Sequence, residues 1–433
     1  MKNINVALLG FGTVGSGVAE TIRKNGKLIE DSIGCHFTIT HVLVRHPEKY
    51  QDLDILKGVH VTSSFEDIIN DDTVEIMIEV MGGIHPAKEY IFEALNHHIS
   101  VVSANKDLVA LFGPEIMHTA MDNHVNFNCE ASVGGGIPIL RPLHDSLAAN
   151  EIERIVGIVN GTTNFILSNM DEAGVSYGDA LRVAQKKGYA EADPTNDVAG
   201  YDAARKLAIL ASIGFHANVT FDDVLVEGIE KISQNDVQYA SEMGYTIKLL
   251  AVALRQENGI ALNVYPAFVP RSHPLASVKG SYNAIYVTGN IVDDVMFYGR
   301  GAGSLPTASA VMGDVISTAK HIMNHSTGTG MMLTETKRIP FYSSLKLENS
   351  YYFRLIVDDV TGVLSQIASA YADNDISIKE VVQKSRIEDA AELMIITEKT
   401  PRENIIHVEK ALQVLPCMRQ VANIIRVLED DRK

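Results

Sequence analysis

The 433 residues, 46% hydrophobic and 21% charged, exceed what a single core accommodates and imply about two to four globular domains. A formal net charge of −17 leaves no excess of Lys and Arg to neutralise phosphates, which excludes a nucleic-acid partner and an anionic membrane surface but not a local basic pocket. Cys35, Cys129 and Cys417 are odd in number and lack metal-ligand spacing, residues 1–10 have no signal-peptide shape, and no apolar run nears the ~20 residues of a bilayer span; a soluble, cytoplasmic protein with reduced thiols is expected.

In chain order, residues 6–9 form a wholly apolar run, the mark of a parallel strand buried on both faces. Further strands are predicted at 37–44, 75–80, 98–103 and 126–129, with helices at 87–96 and 113–123 between them. This alternation predicts a doubly wound parallel sheet, the Rossmann type, over residues 1–136. Residues 137–301 mix helices with strands at 155–158, 262–268, 284–289 and 294–299, an α+β substrate-binding domain whose open sheet offers a face to a partner subunit. A helix at 302–322 rejoins the first domain, and 323–349, which contains an unpatterned Ser, Thr, Gly and Met stretch, reads as a linker. Residues 350–433 then follow a β-α-β-β-α-β order, at 351–357, 362–373, 376–384, 391–397, 404–415 and 421–428, the ferredoxin-like arrangement.

Gly10-Phe11-Gly12-Thr13-Val14-Gly15 follows the first strand and opens a helix. Gly10 permits the tight turn, Gly12 lets the backbone approach a pyrophosphate, and Gly15 permits close helix packing, so the segment predicts a dinucleotide site. The second strand ends Val44-Arg45-His46 with no carboxylate before Glu48. Arg45 there matches a 2′-phosphate and favours NADP(H), with NAD(H) possible; a solvated surface arginine is the alternative. Ser103-Ala104-Asn105-Lys106 lies at the carboxyl edge of the sheet, where Lys106 either faces the ligand or is a surface lysine.

The densest polar segment runs from Gly188 to Lys206, with Glu191, Asp193 and Asp197 on a loop broken by Pro194 and Gly200. Asp202 and Lys206 share one helix face. A carboxylate beside a lysine suits an amino-acid substrate whose carbonyl needs a proton; an ordinary surface pair fits equally well. Glu130 precedes a glycine-rich bend whose carbonyls could hold a hard cation or serve only as an interdomain turn. The histidine pairs lack a third ligand.

The chain resembles homoserine dehydrogenases over nearly its whole length, through GFGTVGSGV (10–18), SANK (103–106), EASVGGGIPI (130–139), NGTTNFIL (160–167), GYAEADPTNDVAGYDAARKLAIL (188–210) and GRGAGSLPTASAVMGDV (299–315). The resemblance implies interconversion of L-homoserine and L-aspartate 4-semialdehyde, with Lys206 as the proton donor and Lys106 and Asp202 beside it. It also implies that Glu191, Asp202, Asp197, Tyr189 and Thr162 hold the substrate. The cofactor would meet Gly10, Phe11, Gly12, Thr13, Val14, Gly15, Arg45, Ser103, Lys106, Gly188 and Gly303. Glu130, Val133, Gly135 and Ile137 match a monovalent-cation site for Na+ or K+, the last three through carbonyls. The C-terminal segment resembles an ACT domain through Phe353–Leu364 and Asn374–Ile378 residues, though Thr361 stands where that family often has Pro; this implies feedback by threonine in a homodimer or homotetramer.

Three rival readings remain. An acylating aspartate-semialdehyde dehydrogenase would need Cys129 as nucleophile. A 3-phosphoglycerate-type dehydrogenase would need an Arg–Glu–His set that cannot be assembled. A non-catalytic amino-acid sensor would not need Lys206, Asp202 and Glu191.

Overall fold

The computed structural model describes residues 2–329, 339–387 and 390–429. The chain opens with β1 (Lys2–Leu9), α1 (Thr13–Ile33), β2 (Cys35–Leu43), β3 (His60–Thr62), α2 (Glu66–Ile69), β4 (Val74–Glu79), α3 (Ala87–Asn96), β5 (Ser100–Ser103), α4 (Lys106–Asp122) and β6 (Phe127–Asn128). The strands pair in parallel in the order β3-β2-β1-β4-β5-β6, the doubly wound order whose carboxyl edge receives dinucleotides. Strand β3 is too short to show a period in the sequence. Helix α4 starts seven residues before the expected 113 because Asn105 caps it, accepting from Leu108 N–H.

Next come β7 (Ile152–Ile158), α5 (Gly161–Ala173), α6 (Tyr177–Lys186), α7 (Thr195–Val198), α8 (Tyr201–Phe215), β8 (Leu225–Val226) and α9 (Gln234–Glu242). They are followed by β9 (Tyr245–Gln256), β10 (Gly259–Pro270), β11 (Tyr282–Gly289), β12 (Asp293–Arg300) and α10 (Ser304–Met323). Strand β9 escaped the sequence reading because its apolar run is buried on both faces and shows neither helical nor alternating period. The last part contains β13 (Glu348–Asp358), α11 (Val363–Ala372), β14 (Ile378–Ile387), β15 (Ala390–Thr397), β16 (Thr400–Pro401), α12 (Arg402–Gln413) and β17 (Met418–Val427).

Two compact units result: Met1–Ile155 with Arg205–Asp223 and Asn283–Ile339, and Val156–Ala204 with Val224–Tyr282 and Pro340–Lys433. In the first, α10 supplies Ala308, Val311, Met312, Val315 and Ala319 to the same buried cluster as Ile4, Val6 and Val18. In the second, strands run β9-β10-β17-β13-β15-β14. The last four are antiparallel neighbours, and β17 joins β10 in parallel.

The sequence places a boundary near residue 349, but in the structure the segment from Pro340 onward packs as one unit with α9, β9 and β10. The alternation of β13 explains why. Phe353, Leu355 and Val357 face α11 and α12 in a core of their own. On the other face Arg354, only 8% exposed, reaches out of the sheet. Its Nε donates to Asp236 Oδ1 at 2.7 Å, and its other nitrogens donate to Glu392 Oε1 at 3.2 Å and Ser233 Oγ at 3.0 Å. Tyr239 donates to Glu392, Asn423 Nδ2 donates to Asp236 Oδ2 at 2.8 Å, and Phe268 stacks on Tyr352 at 4.3 Å. The described ends of the expected linker are also tied down. Gly328 N–H donates to Asn126 Oδ1 at 2.9 Å, and Ile260 N–H donates to the Pro340 carbonyl at 2.9 Å. The middle of that expected linker, 330–338, lies outside the described residues.

Removing one member of a buried pair strands the other. Asp236→Ala is therefore expected to lower unfolding stability by about 3–5 kcal/mol, read from urea denaturation. A loss below about 1 kcal/mol, the scale of an exposed pair, would mean that water reaches Arg354.

Candidate active site

The carboxyl ends of β1, β2 and β4 surround a cavity of about 470 Å³ in the first unit. Gly10 has φ 98°, outside the range of ordinary residues, and a Cβ on Gly15 would stand 2.1 Å from the Gly10 carbonyl oxygen. Nothing lies within 4 Å of where a Gly12 Cβ would be, so the N-terminus of α1 presents open backbone at Gly12, Thr13 and Val14, the setting that holds a pyrophosphate. Phe11 is buried and meets Tyr50 edge-on at 5.7 Å. Arg45 lines the cavity together with His46, Lys49 and Tyr50, and no Asp or Glu is among the lining residues. Lys49 and Tyr50 were not singled out in the sequence, because the turn that returns them to the cavity carries no motif.

A fourth glycine, also missed, fixes a second helix. A Cβ on Gly17 would lie 2.7 Å from Ser304 oxygen atoms, so α1 and the start of α10 touch, and Gly303 (φ 123°) caps that start.

Ser103 is buried at the end of β5. It donates to Glu79 Oε2 at 2.7 Å, while Met81 and Gly82 N–H groups donate to Glu79 Oε1. Burial raises the Glu79 carboxyl above its ordinary range despite these donors. Asn105 N–H donates back to Ser103 Oγ at 3.1 Å, and Asn105 Nδ2 donates to the Gly83 carbonyl at 2.6 Å. This hydroxyl ties the ends of β4 and β5 together and thereby sets the first turn of α4, where half-buried Lys106 stands.

The neighbours of the two lysines are ion-paired. Arg205 Nε lies 3.2 Å from Asp107 Oδ1, which draws the start of α8 to the start of α4 and brings Lys206 into the same region as Lys106. Lys206 is half-buried.

In the second unit, Asn160 organises the segment that follows α6. Its Nδ2 donates to Asp197 Oδ1 at 2.7 Å and to Asp202 Oδ2 at 2.9 Å, and its Oδ1 accepts the Thr163 N–H to cap α5. One amide thus draws two carboxylates together, one of them, Asp202, only 5% exposed. Thr162 Oγ1 donates to the Tyr189 carbonyl at 2.6 Å, and Tyr189 packs on Phe165 at 4.8 Å. Gln185 Nε2 holds the Glu191 carbonyl at 3.2 Å, leaving the exposed Glu191 carboxylate facing solvent beside Gly188 (φ 75°). Asn160 was legible only as an Asn before a helical run, a capping signal.

Glu130 is 4% exposed, and its carboxylate accepts the N–H groups of Ile139, Leu140 and Arg141 at 2.5, 2.8 and 2.8 Å. The side chain thus holds the bend. The bend's own hydrogen bonds run from Val133 to Glu130, Ile137 to Gly134 and Gly136 to Arg300; none uses the carbonyls of Val133, Gly135 or Ile137. A Cβ on Gly135 would stand 2.4 Å from the Gly301 carbonyl oxygen, so the bend is pressed on the segment leading to Gly303. Among the described residues no group of three His, Cys, Asp or Glu could hold a metal ion.

Cys129 is fully buried. Burial first, then the charges of Asp314 and Glu130, drives its thiol far above the ordinary range, so it is not a thiolate nucleophile. The acylating rival loses its only candidate residue.

Comparison with known proteins agrees with this geometry. The family model described as homoserine dehydrogenase matches residues 138–316, and that for the homoserine dehydrogenase NAD binding domain matches residues 10–130. The homoserine dehydrogenase of Bacillus subtilis is 40% identical over 429 residues, covering 99% of both chains. The chain belongs to the homoserine dehydrogenase family. The Corynebacterium glutamicum relative is 39% identical, covering 99% of this chain and 96% of its own. A crystal structure of a homoserine dehydrogenase from Thiobacillus denitrificans superposes with TM-score 0.93 at 37% identity, covering 99% of each chain. A hyperthermophilic archaeal homoserine dehydrogenase in complex with NADPH superposes with TM-score 0.62 at 26% identity, over 73% of this chain and 98% of its own. The chain is thus an NAD(P)-dependent oxidoreductase whose substrate is a small molecule. No described helix is long and apolar enough to cross a membrane.

Asn160→Ala removes two charge-assisted donors and is expected to raise the substrate KM at least about tenfold, since such bonds are worth roughly 1.5–3 kcal/mol each. Asn160→Ser keeps a capping oxygen but cannot bridge both carboxylates, so it should restore thermal stability without restoring KM. Recovery of both by serine would reduce Asn160 to a helix cap.

Proposed function

We propose that this chain interconverts L-homoserine and L-aspartate 4-semialdehyde with Lys206 as the proton donor and acceptor. The observation that carries the reading is the Arg205–Asp107 pair at 3.2 Å, which brings the turns bearing Lys206 and Lys106 together. NADP(H), bound over Gly10–Gly15, supplies or accepts the hydride. In the reducing direction the Lys206 ammonium gives a proton to the aldehyde oxygen as the carbonyl carbon becomes CH–OH; in the reverse direction the Lys206 amine takes the hydroxyl proton. A positioned ammonium also stabilises the negative charge that develops on that oxygen. Lys106 adds a second positive charge to the same region. Asp202 and Asp197, drawn together by Asn160, and Glu191 hold the substrate ammonium and hydroxyl region. Tyr189 and Thr162 keep that loop in place.

The 2′-phosphate of NADP(H) fits the cavity edge where Arg45 and Lys49 stand without a carboxylate, so NADP(H) is preferred over NAD(H). The archaeal relative's NADPH complex supports the same choice. A monovalent cation, Na+ or K+, would be held by the carbonyls of Val133, Gly135 and Ile137, with Glu130 fixing the bend behind them; carbonyl oxygens suit a hard cation. It would stiffen the bend against Gly301–Gly303.

Residues 350–433 act as an ACT-type regulatory module with threonine as effector. The reading is supported by their β-α-β-β-α-β order, the sheet order β17-β13-β15-β14 and the cap of α11 by Gly362 at φ 87°. A homodimer or homotetramer would form through the open strand β12, where Met296 and Tyr298 are exposed. The enzyme works in the cytoplasm.

Lys206→Ala is expected to lower kcat by at least about 10²-fold with NADPH binding, followed by fluorescence, unchanged; near-normal turnover would remove Lys206 from the proton transfer. Arg45→Ala is expected to weaken NADPH roughly tenfold to a hundredfold, from the loss of ~1.5–3 kcal/mol in a charge-assisted bond, and NADH hardly at all. Equal weakening of the two cofactors would place the 2′-phosphate elsewhere.

A further inference from the structure

A second cavity, about 440 Å³ in volume, lies within the second unit among β8, β10, β17 and α12. Its polar lining comprises Glu227, Lys231, Tyr351, Arg402, Glu409 and Arg426, with Asn423 at one side. Arg426 is 7% exposed, lies 4.3 Å from the Tyr265 ring centre and meets Glu227 Oε2 at 2.8 Å. Its guanidinium also lies 6.0 Å from the Tyr351 ring centre, and its remaining donors line the cavity. Arg402 is half-buried and forms no ion pair among the described residues. Burial and the charge of Arg426 pull its guanidinium below the usual range. The Tyr351 hydroxyl is buried with no hydrogen-bond partner.

Two guanidinium groups and a hydroxyl in one cavity match a carboxylate, which accepts from several donors at once. Glu227 and Glu409 stand in the same lining and match an ammonium. The lining sets the cations Lys231, Arg402 and Arg426 against these two acids; a zwitterion satisfies both sets, whereas a phosphate or other polyanion would meet the acids with no cation of its own. Val264 and Ile405 complete the lining and leave space for a small apolar side chain.

The cavity wall is also the support of the substrate loop. Gly228 follows Glu227, and a Cβ there would stand 2.4 Å from the Val198 carbonyl oxygen, which accepts the Ile229 N–H at 2.9 Å. Gly200 packs on Val226 and Val264, where a Cβ would come within 3.0 and 3.1 Å of their side chains. Val198 and Gly200 lie between Asp197 and Asp202. A ligand that draws Glu227 toward itself therefore acts directly on the turn that carries those carboxylates.

We propose that this cavity binds a small zwitterionic α-amino acid, its carboxylate on Arg402, Arg426 and Tyr351 and its ammonium on Glu227 and Glu409, and that binding is transmitted to the Asp197–Asp202 turn through Val226 and Gly228. The proposal rests on the reading of the C-terminal segment as an amino-acid sensor and places the ligand at the junction of α12 with β17 rather than at the Asp359–Gly362 turn that opens α11. Inhibition then requires a difference in affinity between two arrangements of the substrate loop, so the effect appears in KM.

The test is isothermal titration calorimetry of the full chain with L-threonine, L-isoleucine and L-methionine, paired with assays of KM and kcat at each concentration. One of the three is expected to bind and raise KM. Its N-acetyl and amide derivatives, each lacking one charge, should bind at least tenfold more weakly. Arg402→Gln and Glu409→Gln should each weaken binding and inhibition at least tenfold while keeping wild-type turnover without ligand, and unchanged thermal melting shows that they fold. If both variants bind normally while Asp359→Ala abolishes binding, the cavity is overturned and the sensor reading stands. If the wild-type chain neither binds nor is inhibited by any of the three, the sensor reading itself falls, and this proposal with it.

Discussion

Arg354 carries a charge that water barely reaches, and much of the second unit is arranged to neutralise it. An isolated buried ion costs several kcal/mol, so it persists only where opposite charges and hydrogen-bond partners surround it. Here those partners are Asp236, Glu392 and Ser233, two of them in or beside α9 and one on the neighbouring strand β15. One side of the sheet β17-β13-β15-β14 carries its own helices, and on the other β13 and β15 are tied to α9 and its cap. With that face fixed, β17 falls beside β10, and the cavity containing Arg402 and Arg426 forms where α12 and β17 meet β8 and β10.

The same physical requirement recurs on a smaller scale within each unit. Carboxylates that would repel one another or sit poorly out of water are each assigned donors: Asp197 and Asp202 share Asn160, Glu130 takes three backbone amides, and Glu79 takes Ser103 with two more. None of these donors is itself charged. The glycines act in a complementary way. Gly10, Gly15 and Gly17 bring backbone to backbone at distances that a Cβ would forbid, which lets α1 and α10 present their N-termini together.

Much of the first unit was legible because its signals are local. A wholly apolar run, a glycine turn and a helix follow one another within residues 6–33, and the missing carboxylate at Arg45 is visible in the same stretch. Strand β9 was not legible, since a strand buried on both faces has lost the alternation that marks a strand. Asn160 and Lys49 were passed over for another reason: each acts on residues tens of positions away or across a loop, and nothing in the neighbouring letters records that. The hydrogen bonds that Ser103 and Glu130 make within the fold were not legible either, because buried hydroxyls and carboxylates take whatever donors and acceptors folding brings to them.

By itself the sequence determined the doubly wound parallel sheet, the dinucleotide turn, the family and the chemical character of the 188–206 segment, all of which rest on spacing along the chain. Only the tertiary structure decided that Asn160 gathers two carboxylates, that Arg205 and Asp107 draw two lysine-bearing turns together, and that the C-terminal strands share a sheet with β10. These follow from burial and charge pairing between residues up to about two hundred positions apart, as between Glu227 and Arg426. Desolvation makes such pairings obligatory once the chain is folded, but it leaves no periodic trace in the sequence from which to read them.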